Sequence, residues 1–428
     1  MRHHGATRVY AKRLAPNDNS KNQVYLGGDF SALNIIPHGN VYTDDAEIGG
    51  SVRDRAKAAV DFYWVDEAGL HRAPNTGLIL YPRYPEVRMS GFLAGCRAAP
   101  SEMMRARDEG RVLFLGITQQ GSVLGHVAKA SDPAVAELNA RERPTIGVFV
   151  ELPLRFDEDN PKAILLRELR RIHQLQWIAS QKLTVDGTKA PYAAPNAGGY
   201  TLEAELGIAP NGYAAPDFMG WEIKQYGVND FSSLRPKSPV TLMTPEPTGG
   251  IYRTDGVAEF LRRFGYTDQN GKADRFNFGG RYDCQRGHHE LTGLRMILTG
   301  YDTSNQKMID LDGSIALIDA NETVAASWTF KGMMAHWNRK HAQAAYVPSL
   351  FRSPPPEYSY GPFALLCEQT DFLLFLRALA AGTIYYDPGI KIEKASSAHP
   401  AIKRRSQFRV AHHNLTALYN RHEAVPLT

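Results

Sequence analysis

Short apolar runs, separated by turn residues, dominate the first third of the chain. They fall at residues 60–65, 77–81, 111–118 and 145–152. Apolar runs of this length between turn residues are typical of strands, and one short helix is predicted over residues 100–108. Many short strands with few helices favour a small barrel or sandwich.

The pattern changes after an acidic, turn-rich stretch at residues 156–161. Residues 162–183 then carry an apolar stripe at helical spacing, which predicts a long helix. Further helices are predicted over residues 257–264, 326–346 and 371–381, and strands over residues 294–299, 314–318, 384–386 and 407–410. Because helices and strands alternate, we predict an α/β fold. The domain boundary is placed between a β-rich domain over residues 1–157 and a second domain over residues 158–428.

Composition indicates an ordinary globular chain, since 43% of the 428 residues are apolar, 10% aromatic and 22% charged. The net charge of +4 permits nucleic-acid binding without demonstrating it. Three widely separated cysteines exclude a disulfide framework and a four-thiolate zinc site. No apolar run reaches the roughly 18 residues that span a bilayer, and the polar N-terminus is unlike a secretory signal. We therefore expect a cytoplasmic protein with reduced thiols.

Residues 216–224 place acids and a lysine at strand spacing. In a strand, successive side chains point to opposite faces. Glu222 and Lys224 therefore share one face, and Trp221 and Ile223 share the other. Two apolar side chains can enter a core while an acid and a base face a cleft.

Asp217 is the second acid of this segment, and Gly220 lets the chain bend so that Asp217 returns toward Glu222. Two carboxylates held close together repel, and a divalent cation relieves that repulsion; hard oxygen ligands suit Mg²⁺. The carbonyl of Ile223 can complete the ligand set. A cation there polarises a scissile phosphate and lowers the pKa of a bound water, while Lys224 positions that water and offsets growing charge. The segment therefore predicts phosphodiester hydrolysis.

The spacing alone is a weak signal, because an acid and a lysine two residues apart also form ion pairs on solvated strand edges. A short helix predicted over residues 201–206, with Thr201 as its cap, adds Glu203 and Glu205. Helical geometry does not choose between these two glutamates.

Residues 199–208, Asn211-Gly212 and residues 216–225 together carry a resemblance to a known family. They resemble the catalytic core of the MvaI/BcnI restriction endonucleases and, more distantly, the mismatch-repair nickase MutH. The similarity extends from about residue 165 to the C-terminus. It implies the PD-(D/E)xK nuclease fold, a mixed sheet flanked by helices, with Mg²⁺ as cofactor.

The same resemblance implies residue roles. Glu203 takes the position of a helix glutamate that precedes the strand acids, which leaves Glu205 as an exposed residue. Asp217 and Glu222 match the metal-binding acids, and Lys224 matches the catalytic lysine. Enzymes of this kind act on double-stranded DNA as monomers and cut the strands in successive nicking events, so a monomeric prokaryotic enzyme is expected.

Residues 80–96 are similar to the effector domain of EcoRII, a pseudobarrel related to plant DNA-binding domains. An effector domain of this kind joined to an MvaI-like nuclease is a known arrangement. It implies that residues 1–157 bind a second copy of the site and stimulate or anchor the nuclease, as in type IIE enzymes. Both sources of the resemblance recognise 5′-CCWGG, which is therefore the expected target, although BcnI-type relatives read CCSGG.

Basic side chains are the candidates for DNA contact, because Arg and Lys donate to guanine edges in the major groove. In the second domain the candidates are Lys403, Arg404, Arg405 and Arg409, and in the first they are Arg83, Arg88 and Arg97. Each can contact a base, contact a phosphate or form a structural ion pair. Lys331 and Lys340, in the helix predicted over residues 326–346, can also face DNA. Residues 412–422 hint at an HNH nuclease, but the flanking pattern is helical and favours a structural role.

Two other functions fit some of the same sequence features as a restriction endonuclease does. A MutH-like repair nickase would use the same catalytic residues but would not need an EcoRII-like domain. A DNA-binding regulator with an inactive nuclease domain would have lost catalytic residues, whereas Glu203, Asp217, Glu222 and Lys224 are all present.

Overall fold

The computed structural model describes residues 1–16, 23–43, 55–81, 86–143, 145–152, 160–209 and 216–428. The chain forms two compact units. Unit 1 contains Met1–Gln225, Asn338–Thr370 and Glu423–Thr428, and unit 2 contains Tyr226–Trp337 and Asp371–His422. The predicted domain boundary at residue 157 lies outside the described residues and stays a prediction.

The first 152 residues are rich in strands, as predicted. The strands are β1 (Ala6–Arg13), β2 (Gln23–Gly27), β3 (Tyr42–Thr43), β4 (Ala56–Ala59), β5 (Phe62–Asp66), β6 (Gly69–Arg72), β7 (Gly77–Tyr81), β8 (Glu86–Ser90), β9 (Val112–Thr118), β10 (Val123–Ala128), β11 (Thr145–Ile146) and β12 (Phe149–Leu152). The helices are α1 (Ala32–Ile35), α2 (Ser101–Arg105) and α3 (Pro133–Asn139). One sheet has the order β11-β12-β1-β9-β10-β5-β6 and another β2-β8-β7-β4-β3. Closure of these sheets into a pseudobarrel stays a prediction.

From residue 160 onward, helices and strands alternate, which confirms the predicted mixed α/β class. The helices are α4 (Pro161–Gln174), α5 (Ala197–Glu205), α6 (Ile251–Thr254), α7 (Val257–Phe264), α8 (Phe330–His341) and α9 (Phe372–Ala380). The strands are β13 (Ile178–Ala179), β14 (Gln181–Leu183), β15 (Lys189–Pro191), β16 (Glu222–Gly227), β17 (Val240–Met243), β18 (Tyr266–Thr267), β19 (Arg275–Gly279), β20 (Arg295–Thr299), β21 (Tyr301–Asp302), β22 (Lys307–Met308), β23 (Ser314–Ile318), β24 (Val324–Thr329), β25 (Gln343–Arg352), β26 (Glu357–Tyr360), β27 (Phe363–Glu368), β28 (Ile384–Tyr386), β29 (Gly389–Glu393), β30 (Ala401–Lys403), β31 (Phe408–Val410) and β32 (Arg421–Pro426).

One sheet of unit 1 has the order β13-β26-β25-β27-β32, and β16 pairs with β25. Buried side chains of α4 and α5 pack in one core with buried side chains of β16 and β25. The core includes Leu165, Leu169, Ile172, Leu202, Trp221, Ile223, Ala345 and Val347. Each buried aliphatic side chain contributes roughly 2 kcal/mol, so this core holds β16 firmly against the helices.

Unit 2 contains smaller sheets, with the orders β17-β31-β28, β20-β23-β24 and β18-β19-β29-β30. Its aromatic residues are mostly internal. Trp328 packs edge-on against Tyr386 and Phe408, and Trp337 packs against Phe375. These two tryptophans belong to the core rather than to a binding surface.

The short helix predicted over residues 100–108 is observed only over Ser101–Arg105, and two longer predicted helices extend well beyond the observed ones. The helix predicted over residues 162–183 ends at Gln174, because Gln176 adopts φ 61° and Ile178 begins a strand that pairs with β26. The helix predicted over residues 326–346 is α8 alone, with strands on both sides. Residues 343–349 of β25 are all buried and so lack strand-like alternation. A fully buried strand and a buried helix look alike in sequence.

Among the described residues, no helix is long and apolar enough to cross a membrane.

Candidate active site

The candidate active site begins with a tight turn between Phe218 and Trp221. The N–H of Phe218 donates to the carbonyl of Trp221 over 2.9 Å, and the N–H of Trp221 donates back over 2.8 Å. Between them Met219 has φ 47° and Gly220 has φ 88°. Two positive φ values in a two-residue turn are the signature of type I′, which matches the twist of paired strands and favours glycine at the second position. The turn therefore folds Asp217 back along β16.

Asp217 is fixed by the strand that it faces. Its Oδ2 accepts a hydrogen bond from the N–H of Ile223 over 2.9 Å. The side chains of Trp221 and Ile223 are buried in the core. Glu222 and Lys224 form an ion pair, with Nζ 2.6 Å from Oε1. The structure confirms the predictions that Glu222 and Lys224 lie in a strand and that Asp217 folds back toward it.

Glu222 carries an unusual unsatisfied atom. Its side chain is 1% exposed, yet Oε2 has no hydrogen-bond partner among the described residues. A buried carboxylate oxygen without a partner is costly, and native proteins rarely leave one without a reason. The atom has a free lone pair for a cation or a donor that arrives with substrate.

The structure distinguishes the two glutamates of α5. Glu203 lies where its pKa responds to Asp217, Lys224 and Glu222. Glu205 instead pairs with Lys189 over 2.5 Å and with Arg171 over 3.5 Å. Its side chain is 7% exposed, so the expectation of an exposed Glu205 is wrong. Two basic partners explain how this carboxylate tolerates burial.

The predicted N-cap of this helix is also wrong. The helix begins at Ala197, four residues earlier than Thr201. The Thr201 hydroxyl is buried inside the helix, where it donates to the carbonyl of Gln181 and accepts from its N–H. Thr201 therefore ties α5 to β14 and helps to hold Glu203 at the site.

Burial and neighbouring charges shift the pKa values of the three acids in different directions. Burial, together with the negative charge of Asp217, raises the pKa of Glu203 to about 7. Burial and the charge of Glu222 raise the pKa of Asp217, although the Ile223 N–H opposes this rise. Burial alone would also raise the pKa of Glu222, but Lys224, His341 and Lys340 outweigh it and hold that pKa below its usual value. Crowded carboxylates with raised pKa values indicate a site that favours an added positive charge.

Replacing Glu203 by Gln should stabilise the metal-free protein at pH 8 and much less at pH 5. The unfolded chain releases this proton near pH 4.5 and the folded chain near pH 7, so stability falls as pH rises through that window. Above pH 7 the full penalty applies, at most about 3 kcal/mol. Denaturant unfolding in EDTA at both pH values measures the gain.

The matched control for this prediction is Glu205→Gln. Glu205 lies on the same helix but has two basic partners, so its amide variant should gain no stability at pH 8. A Glu203→Gln protein whose midpoint shifts equally at both pH values would contradict the assigned burial of this charge.

The donors suit a hard divalent cation. Asp217 and Glu222 offer carboxylate oxygens, one of them buried and without a hydrogen-bond partner among the residues described. In the described part of the chain, no three His, Cys, Asp or Glu side chains form a ready-made metal cluster. Mg²⁺ commonly uses only one or two protein carboxylates and completes its octahedron with waters and substrate oxygens. The residues present therefore fit Mg²⁺.

The basic candidates for DNA contact differ in their surroundings. Arg97, Lys403, Arg404 and Arg405 are exposed, whereas Arg83 lies outside the described residues. Arg88 forms an ion pair with Glu86 over 3.0 Å. Arg409 pairs with Asp387 over 2.6 Å and donates to the carbonyl of Pro239. Arg88 and Arg409 are thus held by internal partners, and the exposed residues are the better candidates.

The HNH-like pattern does not form a metal site. His412–Leu418 is a 3₁₀ helix, and the ring of His412 lies 4.2 Å from that of Tyr226. This contact agrees with the structural role that the sequence favoured.

The sequence suggests that Lys340 faces DNA but does not predict that it approaches the catalytic acids. It lies in the last turn of α8, and its Nζ is 3.6 Å from Oε1 of Glu222. Sequence spacing gave no signal, because the approach depends on pairing between β16 and β25, which are distant in sequence.

The MvaI/BcnI restriction endonuclease family model matches residues 166–419. The match covers more than half of the chain and includes Glu203, Asp217, Glu222 and Lys224. It defines the class of protein as a type II restriction endonuclease, an enzyme that cuts DNA. The chain belongs to the MvaI/BcnI restriction endonuclease family, which confirms the predicted family.

Two solved structures are similar to the chain. The complex of restriction endonuclease MvaI with its cognate DNA substrate is 17% identical with a TM-score of 0.45, and the match covers 62% of this chain and 97% of that one. MvaI in the absence of DNA is 15% identical with a TM-score of 0.33, covering 64% and 100%. Both similarities are too low to assign a role to any residue. Curated protein sequences gave no match.

Proposed function

We propose that this restriction endonuclease is Mg²⁺-dependent and hydrolyses phosphodiester bonds of double-stranded DNA with Glu203, Asp217, Glu222 and Lys224. The observation that carries the proposal is the buried Oε2 of Glu222, which lacks a partner among the described residues beside two further carboxylates and a lysine. Asp217, Glu222 and the carbonyl of Ile223 would hold the cation. When bound, Mg²⁺ supplies Lewis-acid polarisation of the phosphate and a water of lowered pKa.

The protein side chains have distinct tasks in this reaction. Lys224 is anchored by Glu222, so its ammonium group is oriented to position the attacking water and to offset charge on the phosphorane. Glu203 has a pKa of about 7 and can therefore hold or release a proton near neutral pH. Neither task requires movement of β16, whose core face is buried.

The proposed target is a short G·C-rich site, with 5′-CCWGG as the first candidate from the family resemblance. Guanine-rich targets require donors in the major groove. Lys403, Arg404 and Arg405 are adjacent and exposed, so they are the proposed readers in the second domain, and Arg97 in the first. The enzyme would act as a monomer in the cytoplasm and cut the two strands by successive nicking.

Residues 1–157 are proposed to be an effector domain that binds a second copy of the site. A polar contact supports communication with the catalytic region. Arg8 of β1 pairs with Glu151 over 3.0 Å and donates to Oε1 of Gln343 over 3.2 Å. Gln343 opens β25, the strand that pairs with β16. A change in the N-terminal sheet can therefore reach the strand next to the catalytic residues.

Digestion of plasmid DNA tests the proposed function. The full chain is incubated with Mg²⁺ and the fragment ends are sequenced. We expect every end to share one short G·C-rich sequence, and plasmids with two copies of it to be cut faster than plasmids with one. Ends without a common sequence would contradict a site-specific enzyme. Equal rates on one-site and two-site plasmids would contradict only the effector role.

A further inference from the structure

Glu222 is contacted by two lysines rather than one. Oε1 lies 2.6 Å from Nζ of Lys224 and 3.6 Å from Nζ of Lys340. One ammonium group is enough to neutralise one carboxylate, and two like charges on the same oxygen repel each other. Lys340 therefore supplies positive charge beyond what is needed to neutralise Glu222.

The charge of Lys340 also reaches the other acids of the site. It acts to lower the pKa of Glu203 and of Asp217, although burial prevails in both cases. The positive charge of Lys340 therefore acts on Glu203 and Asp217 as well as on Glu222.

Exposure distinguishes the two lysines from the acid between them. The side chains of Lys224 and Lys340 are 24% and 23% exposed, whereas that of Glu222 is 1% exposed. An anion arriving from solvent therefore meets two ammonium groups before it meets the buried carboxylate. The anion that the proposed reaction brings here is a DNA phosphate, whose charge grows in the transition state.

The backbone fixes Lys340 in place. It is the penultimate residue of α8, and β25 begins at Gln343, directly after that helix. Since β25 pairs with β16, Lys340 lies at the end of the helix that leads into the strand next to the one carrying Lys224. Groups on such rigid elements keep their geometry as charge develops, which is what electrostatic catalysis needs.

We propose that Lys340 is a second catalytic lysine, which contacts the phosphate being cleaved beside Lys224. This inference rests on the proposed DNA-cleaving function. In a purely structural role, Lys340 would only neutralise the acids and would make no contact with DNA.

The test compares Lys340→Ala with Lys340→Arg in the full chain. Cleavage of supercoiled plasmid is started with Mg²⁺, and binding of a short duplex containing 5′-CCTGG is measured in Ca²⁺ at several salt concentrations. We expect Lys340→Ala to slow cleavage by about 100-fold and to reduce the slope of log affinity against log salt by about one, the signature of one lost phosphate contact. Lys340→Arg should retain the slope and most of the rate.

Lys189→Ala is the matched control, because Lys189 also pairs with a buried glutamate, in its case Glu205 of α5, but lies outside the cluster. It should cut and bind like the parent. If Lys340→Ala fails to fold, as judged by circular dichroism, Lys340→Met, which keeps the aliphatic stem, takes its place. A Lys340→Ala protein that cuts at the parent's rate, or that cuts more slowly with an unchanged salt slope, would overturn the proposed role of Lys340. Neither result would contradict the proposed function of the enzyme. A parent that neither binds nor cuts would overturn the proposed function as well.

Discussion

Lys224→Ala should bind DNA almost as well as the parent and cut it about a thousandfold more slowly, a loss of about 4 kcal/mol of transition-state stabilisation. The ammonium group is held 2.6 Å from Glu222 and is partly exposed, so it is oriented toward the substrate before binding. One phosphate contact among many adds little to total affinity, but charge near the reacting phosphate acts mainly in the transition state. Single-turnover cleavage with Mg²⁺ and binding in Ca²⁺ separate the two effects.

Lys224→Met is the control for packing, because it keeps the length of the side chain without its charge. It should be as slow as Lys224→Ala. A Lys224→Ala enzyme that cuts at the parent's rate would exclude the proposed mechanism, and one that no longer binds DNA would point to a binding role instead.

Asp217→Asn and Glu222→Gln should each greatly reduce both the cleavage rate and the stabilisation of the protein by metal. A ligand that binds only the folded state raises stability by RT ln(1 + [L]/Kd). The parent should therefore gain thermal stability on addition of Mn²⁺ or Mg²⁺ without DNA. Each variant removes one carboxylate oxygen from the donor set and should lose most of this gain, together with about a thousandfold or more of the cleavage rate.

Glu205→Gln serves as the control, since Glu205 is a buried carboxylate of α5, the helix that carries Glu203, but is bound by Lys189 and Arg171. It should keep the metal-dependent shift. Retention of the full shift in both Asp217→Asn and Glu222→Gln would show that the metal binds elsewhere.

Local sequence was enough to predict the geometry at the centre of the candidate site. Alternation placed Trp221 and Ile223 in the core and Glu222 and Lys224 on the other face, and Gly220 allowed the return of Asp217. These features depend on residues within one turn and one strand, where backbone geometry follows directly from residue type.

Features that depend on distant partners could not be predicted. The choice between Glu203 and Glu205 needed the family resemblance, since the basic partner Lys189 comes from another element. The second lysine at Glu222 and the internal ion pair of Arg409 likewise depend on residues far apart in sequence. The C-terminal end of α8 was misjudged because the first seven residues of β25 are all buried and show no alternation.

Addition of Mg²⁺ to a preformed complex of the full chain with supercoiled plasmid tests the central claim most directly. The complex is assembled in Ca²⁺, and conversion of the plasmid is followed on a gel. The four-residue site predicts no conversion before Mg²⁺ is added, then an open-circular intermediate followed by linear DNA. Lys224→Ala should give neither product in the time that the parent needs to finish. Conversion in EDTA, or equal rates for the parent and Lys224→Ala, would contradict a Mg²⁺-dependent centre at Glu203, Asp217, Glu222 and Lys224.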